Sequence, residues 1–365
     1  MRETSSHHRH SREGGDDKLL SPGYVILNSL RYPLISAWLA AGALAAWCAA
    51  APAASLRDNP EVDAFIEQLA VDHSFDRRQL RRWFNQARVQ GAVLQAIARP
   101  GTARPWREFR AIHVTEARIR GGVDYWLQYA DALAHASSEY GVPEEIIVAT
   151  IGIETFYGRN AGKHIVFDAL ATLAFAYPPR AELFRGELEQ FLLLARELRT
   201  NPLSYKGSYA GALGVPQFLP SSYRRYAVDF DGNGKRDLWD HRDAIGSIAN
   251  YYKNWGWRPG ERVIVALEQP VEPAGDAFKT LLERGLNPHS TVAAIRSTGV
   301  APDQLLPDDE LASVFAAETD AGTRYWLGFN NFYVITRYNR SVNYALAVHE
   351  LALELRRARY AATFE

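Results

Sequence analysis

Residues 143–159 read PEEIIVATIGIETFYGR. Pro143 suits the start of a helix, and Glu144 and Glu145 place negative charge in its first turn, where the macrodipole favours it. Counting back from Glu154 gives Ile151 at i−3, Thr150 at i−4 and Ile147 at i−7. The glutamate therefore continues the apolar stripe of the helix and does not face water. A carboxyl among Ile151, Ile153 and Phe156 is desolvated, which disfavours its charged form and raises its pKa. A proton held near neutral pH is what a general acid needs at a glycosidic oxygen. Gly158 is expected to end the helix, leaving Glu154 near a terminus where a cleft can open. The same pattern also suits a surface glutamate on an imperfect stripe, or a structural one paired with Arg159 or Lys163.

On either side of this stretch the spacing is again helical. Residues 60–98 alternate apolar and charged positions at helical period, with Val62, Phe65, Ile66 and Leu69, then Leu80, Trp83 and Phe84. A Gly/Pro loop at 100–105 separates them from a helical stretch over 115–140. Further helices are predicted over 169–176, 180–199, 243–255 and 344–360. RVIVAL at 262–267 reads as a strand. The surrounding residues 258–323, punctuated by Pro259, Pro270, Pro273, Pro288 and Pro307, read as a small inserted unit. The organisation expected is a pre-sequence (1–54), a helical region and catalytic core (55–257), a mixed α/β insertion (258–323) and a C-terminal part of the core (324–365). No internal repeat is visible.

The pre-sequence begins polar and histidine-rich, with His7, His8 and His10. It then runs from Arg31 into LISAWLAAGALAAWCAAA at 34–51 and the small residues APAAS. A positive flank, an apolar middle and a small-residue exit describe a secretory signal. The run is also long enough for a retained membrane anchor, and Cys48 could carry a lipid, although Trp47 before it fits poorly. A cleaved signal ranks first, an anchor second and a lipid third, so contact with a membrane is expected only through this segment. Cys48 is the single cysteine, so no intramolecular disulfide forms. Lys+Arg 41 against Asp+Glu 42 leaves a net charge of −1, and no basic stripe points to nucleic acid. Nine Trp and 18 Tyr supply flat faces with polar tips, suited to stacking on sugar rings.

Two long runs carry a resemblance. IGIETFYGRNAGKHIVFDALATLAFAYPPRAELFRGELEQFL and SYAGALGVPQFLPSSYRRYAVDFDGNGKRDLWD resemble the membrane-bound lytic murein transglycosylase B family, and the similarity spans most of residues 63–358. The resemblance implies a mainly α (α+β) fold: a lysozyme-like helical core, an additional N-terminal helical region and a small β-containing insertion. It implies a periplasmic enzyme that cuts the MurNAc–GlcNAc bond of peptidoglycan, with Glu154 as single acid and base and no catalytic cofactor. Glu154 would protonate the glycosidic oxygen, then take the proton of the C6 hydroxyl as a 1,6-anhydro ring closes. Substrate contacts would fall on Ser208, Gln217, Tyr251, Asn331, Tyr333 and Tyr338. One departure is Gly214-Val215-Pro216-Gln217, where the family pattern reads Gly-Tyr-Gly-Gln. Partner enzymes of a cell-wall complex would be compatible with such a role. A hydrolytic muramidase would need a second, water-activating carboxylate, and none stands near Glu154 in sequence. A scaffold that merely binds glycan would have no use for Glu154.

DFDGNGKRDLWD begins at Asp229 as D-x-D-x-N-G, the first half of a calcium loop. Asp229, Asp231 and Asn233 would take positions 1, 3 and 5, with the carbonyl of Lys235 at 7. Asp240 stands at position 12 in place of glutamate. An Asx-rich turn without metal is the alternative reading of these residues. The resemblance favours structural Ca2+ and points to Asp243 as the closing ligand of a longer loop.

Overall fold

The computed structural model describes residues 56–98, 104–268 and 275–363; the apolar run expected as a signal, the early histidines and Cys48 lie outside them. Glu144–Thr155 forms helix α7, counted along the chain. Ile146 through Ile153 are all buried, so water touches almost none of it. A helix apolar on every face must be enclosed. Those before it are α1 (Pro60–His73), α2 (Arg77–Gln86), α3 (Gly91–Ile97), α4 (Trp106–His113), α5 (Glu116–Gln128) and α6 (Ala130–Tyr140). After it come α8 (Val166–Ala176), α9 (Ala181–Glu197), α10 (Pro220–Tyr226) and α11 (His241–Asn254). The last four are α12 (Gly275–Glu283), α13 (Val292–Arg296), α14 (Asn330–Tyr338) and α15 (Val342–Thr363). Helices α5, α6, α11 and α15 close around α7. Each Ile or Val so enclosed stabilises the fold by roughly 1.5–3 kcal/mol.

The stretch 60–98 divides into three helices, the first two started by side-chain caps: Asn59 accepts from the amide of Glu61, and Asp76 from that of Gln79. Phe65 and Phe84 then pack edge-on against Phe175 of α8, seating the N-terminal helices on the core. The stretch 115–140 breaks at Tyr129, whose φ of −115° leaves the helical range. Helices α8 and α9 form an antiparallel pair with α10 across it.

Two small antiparallel sheets complete the molecule. Strands β1 (His164–Ile165) and β2 (Lys206–Gly207) pair at one edge of the cleft. The other sheet has the order β3-β6-β5-β4, with β3 Ile264–Ala266, β4 Ser290–Thr291, β5 Leu311–Thr319 and β6 Gly322–Gly328. Its apolar side and α12 and α13 share a separate small core of Val265, Phe278, Val292, Ile295, Val314 and Leu327. Strands β5 and β6 pair from Thr319↔Gly322 to Ser313↔Gly328, so one hairpin spans residues 311–328. The boundary expected at 323 would cut that hairpin in its second strand. Among the described residues no helix is long and apolar enough to cross a membrane.

Candidate active site

Helix α7 ends one residue after Glu154, and it does so without the expected glycine. Phe156 caps it in the left-handed region at φ 50°, Tyr157 follows at 62° and Gly158 at 83°. Two consecutive non-glycine residues there persist only where surrounding structure over-determines them. Tyr157 is held by its hydroxyl, which donates to Arg118 O at 2.8 Å. Its ring lies so close to α5 that a Cβ on Gly122 would meet the phenol oxygen at 2.3 Å. Arg118 in turn donates to Gly152 O at 2.9 Å and packs over the Phe156 ring.

The turn places Glu154 in a pocket that Ser208, Gln217, Tyr338, Asn339, Arg180 and Phe184 also line. Among the described residues Glu154 is the only carboxylate lining it. Tyr344 donates its hydroxyl to Glu154 Oε1 at 2.7 Å. Burial pushes the Glu154 carboxyl up to about 7, and the Tyr344 bond pulls partly back. Burial first, and the neighbouring Glu154 charge after it, raise the phenols of Tyr338, Tyr344 and Tyr252, so all three stay neutral. Neither Arg159 nor Lys163 pairs with Glu154.

The side chains expected at the site divide into two groups. Ser208 lies in the pocket, its Oγ accepting from the amides of Ala210 and Ala212 at 3.2 and 3.0 Å. Gln217, at φ 53°, donates its amide to Ala161 O at 3.1 Å and Gly214 O at 2.8 Å. Tyr338 forms the floor, its hydroxyl bonded to Pro216 O. Tyr251 and Asn331 do not reach the pocket. Tyr251 is fully buried on α11, its hydroxyl donating to Arg337 O at 2.6 Å. The tyrosine bonded to Glu154 is Tyr344. Asn331 is also fully buried, bracketing the backbone of Arg258 and Glu261 with three hydrogen bonds of 2.8–3.0 Å. Tyr333 is half-buried beneath Arg337 and is not among the pocket residues. Sequence reading missed Tyr344 and Asn339. Asn339 Oδ1 is buried without a partner in the pocket wall, a signal only the fold reveals.

The acidic loop sits beside the start of α11. Carboxylate oxygens of Asp229, Asp231 and Asp243 lie within 4.8 Å of one another. Asp229 Oδ1 is buried with no hydrogen-bond partner, the state of an oxygen shaped for a cation. Its other oxygen accepts from Gly234 N at 2.8 Å, and Asn233 Oδ1 accepts from Lys235 N at 2.9 Å. Asp243 is fully buried and accepts from the amides of Phe230 and Asp237, each at 2.7 Å. Asp240 is spent as the N-cap of α11 and stands outside the cluster.

Residues 57–353 match the family described as the transglycosylase SLT domain. The chain is 43% identical over 312 residues to the membrane-bound lytic murein transglycosylase B of Escherichia coli, a match covering 83% of this chain and 84% of that protein. It superposes on the crystal structure of the soluble lytic transglycosylase SltB1 from Pseudomonas aeruginosa with a TM-score of 0.76 and 48% identity, over 82% of this chain and 99% of that one. The structure of the Escherichia coli lytic transglycosylase Slt35 in complex with calcium gives a TM-score of 0.75 at 44% identity, covering 83% and 95%.

Proposed function

Because this chain belongs to the family of transglycosylase SLT domains and is a lytic transglycosylase of peptidoglycan, we propose that Glu154 is its single general acid and base. The observation that carries this reading is one half-buried carboxyl, held by Tyr344, in a pocket with no second carboxylate among the described residues. At neutral pH much of Glu154 is protonated, since burial pushes it up to about 7. Tyr344 fixes Oε1, leaving the other oxygen to deliver its proton to the bond between MurNAc and GlcNAc. The substrate's acetamido group stabilises the positive anomeric carbon as the bond breaks, in the substrate-assisted manner. Glu154, now a carboxylate, takes the proton of the C6 hydroxyl while that oxygen closes the 1,6-anhydro ring. A tethered hydroxyl outcompetes water because effective molarities of well-oriented groups are very large. Ser208, Gln217, Tyr338 and Asn339 would hold the sugar, with Arg180 facing its acidic substituents.

The acidic loop fits a structural cation. Asp229, Asp231, Asn233, Asp243 and the Lys235 carbonyl supply hard oxygens, and Asp229 Oδ1 awaits a partner. The ion would neutralise three clustered carboxylates and fasten the loop to α11; a relative has been solved with calcium. The N-terminal apolar run and a relative's membrane-bound designation support export to the periplasm, cleaved or anchored.

The deciding experiment is digestion of purified sacculi by the wild type and by Glu154→Gln, with muropeptides weighed by mass spectrometry. The wild type should release products lighter by one water than hydrolytic ones, and the variant should lose activity by about 10³-fold. Unchanged turnover by the variant removes Glu154 from the mechanism.

A further inference from the structure

We propose that Thr155 is a positioning residue through which the acidic cation loop holds Glu154 in place. The proposal rests on the reading of Glu154 as acid and base. Thr155 is buried and adjacent to Glu154 in the last turn of α7. Its Oγ1 accepts from Gly158 N at 2.9 Å and donates to Val215 O at 3.0 Å, a shorter contact than the 3.4 Å to Ile151 O. Val215 N donates to Leu238 O at 2.8 Å. Leu238 follows Asp237, whose amide donates to Asp243 Oδ2 at 2.7 Å. Four links thus run from a carboxylate of the acidic cluster to the turn that aims the general acid.

Two close approaches make the path stiff. A Cβ on Gly214 would meet Leu238 O at 2.5 Å, so residue 214 lies flush against the loop backbone. A Cβ on Gly158 would meet His241 Cε1 at 2.7 Å, so the catalytic turn also leans directly on the start of α11. The segment that crosses between them reaches the pocket by a backbone carbonyl and a side chain. Pro216 O accepts the Tyr338 hydroxyl, and Gln217 stands in the wall. The turn it supports contains left-handed Phe156 and Tyr157, a conformation that relaxes once its restraints are loosened. Thr155 is suited to the link because a hydroxyl accepts and donates at once, which valine of the same shape cannot do. Coupling between two sites is reciprocal, so a break at Thr155 must also weaken calcium binding at the loop.

The test uses the full chain and calcium itself as probe. With binding followed by calorimetric titration, saturating calcium should slow hydrogen exchange at the Val215 and Gly158 amides of the wild type by about tenfold. In Thr155→Val the effect at Gly158 should vanish while that at Val215 remains. The same variant should lose kcat on sacculi by about tenfold with KM within about twofold, as expected of a misplaced acid. Its calcium affinity should fall severalfold, and Thr155→Ser should restore all three readouts. Calcium that binds yet leaves Gly158 exchange unchanged overturns the coupling, as does loss of kcat in Thr155→Val at unaltered calcium affinity. A wild type that binds no calcium overturns it too. Failure of the Glu154 reading shows itself separately, as retained activity in Glu154→Gln, and leaves the exchange result standing.

Discussion

The Glu154 proton has a thermodynamic consequence as well as a chemical one. Burial raises the carboxyl from 4.5 to about 7 in the folded protein, and a group so raised contributes stability that is intact below the unfolded value and lost as pH climbs through the folded one. The window is therefore pH 4.5 to 7. Glu154→Gln, which cannot ionise, should melt higher than the wild type at pH 8 by about 2–3 kcal/mol, and by little at pH 4. Melting curves across that range check the sign; a constant offset contradicts it. Tyr344 works in the opposite direction, since its hydroxyl favours the carboxylate. Tyr344→Phe should raise the Glu154 pKa and move the alkaline limb of kcat/KM up by about half a pH unit to one. A limb that stays still or moves down would detach Tyr344 from the acid. Tyr344 could not be read from sequence, because it meets Glu154 across 190 residues. The place of Tyr251 is hidden for the same reason: it and Tyr252 are neighbours on one helix, and only the packing decides which hydroxyl meets α14 and which meets α7.

At the scale of elements, legibility follows how local the cause is. The period behind Glu154 lies within seven residues, so α7 and the inward turn of Glu154 were readable before any fold was known. The end of α7 was not, because its left-handed Phe156 and Tyr157 are imposed by Arg118 and by glycines of α5, none of which adjoins them in sequence. The acidic loop was readable as far as its Asp-x-Asp-x-Asn-Gly start. Its closing carboxylate was harder, since Asp240 and Asp243 differ only in which one caps α11. Calcium at about a hundredfold excess over its dissociation constant should stabilise the protein by about 2–3 kcal/mol, several degrees in Tm. Asp229→Asn should abolish that gain while leaving the calcium-free melt nearly unchanged, because the asparagine oxygen can still accept from Gly234 N. A variant that keeps the full calcium-dependent rise would place the ion elsewhere.

Across the whole molecule, the question is how a unit with its own small core is fastened to the helical core that holds the acid. One face of the inserted sheet has its own apolar interior, while Phe315, Ala317 and Trp326 on its strands pack into the main core. Asn331 stands at the junction. It is at the start of α14, fully buried, with Oδ1 accepting from Arg258 N and Nδ2 donating to Arg258 O and Glu261 O. These are the residues through which the chain leaves the core for β3. From sequence alone, an asparagine in FNNFYVITRYN looks like a sugar ligand, because polar residues in a cleft and polar residues that close a buried junction have the same composition. The geometry separates them: the Asn331 side chain makes three hydrogen bonds to the backbone of Arg258 and Glu261, and a fourth from neighbouring Asn330 Nδ2. Asn331→Ala should therefore leave three half-buried backbone groups without their partner and cost about 1–3 kcal/mol, read as a lower Tm and as faster proteolysis within residues 258–328. At a temperature where the variant stays folded, kcat and KM on sacculi should stay within about twofold of wild type, since Asn331 touches neither Glu154 nor the pocket. A large rise in KM with Tm intact would return Asn331 to the substrate, and with it the idea that the inserted unit reaches the glycan directly.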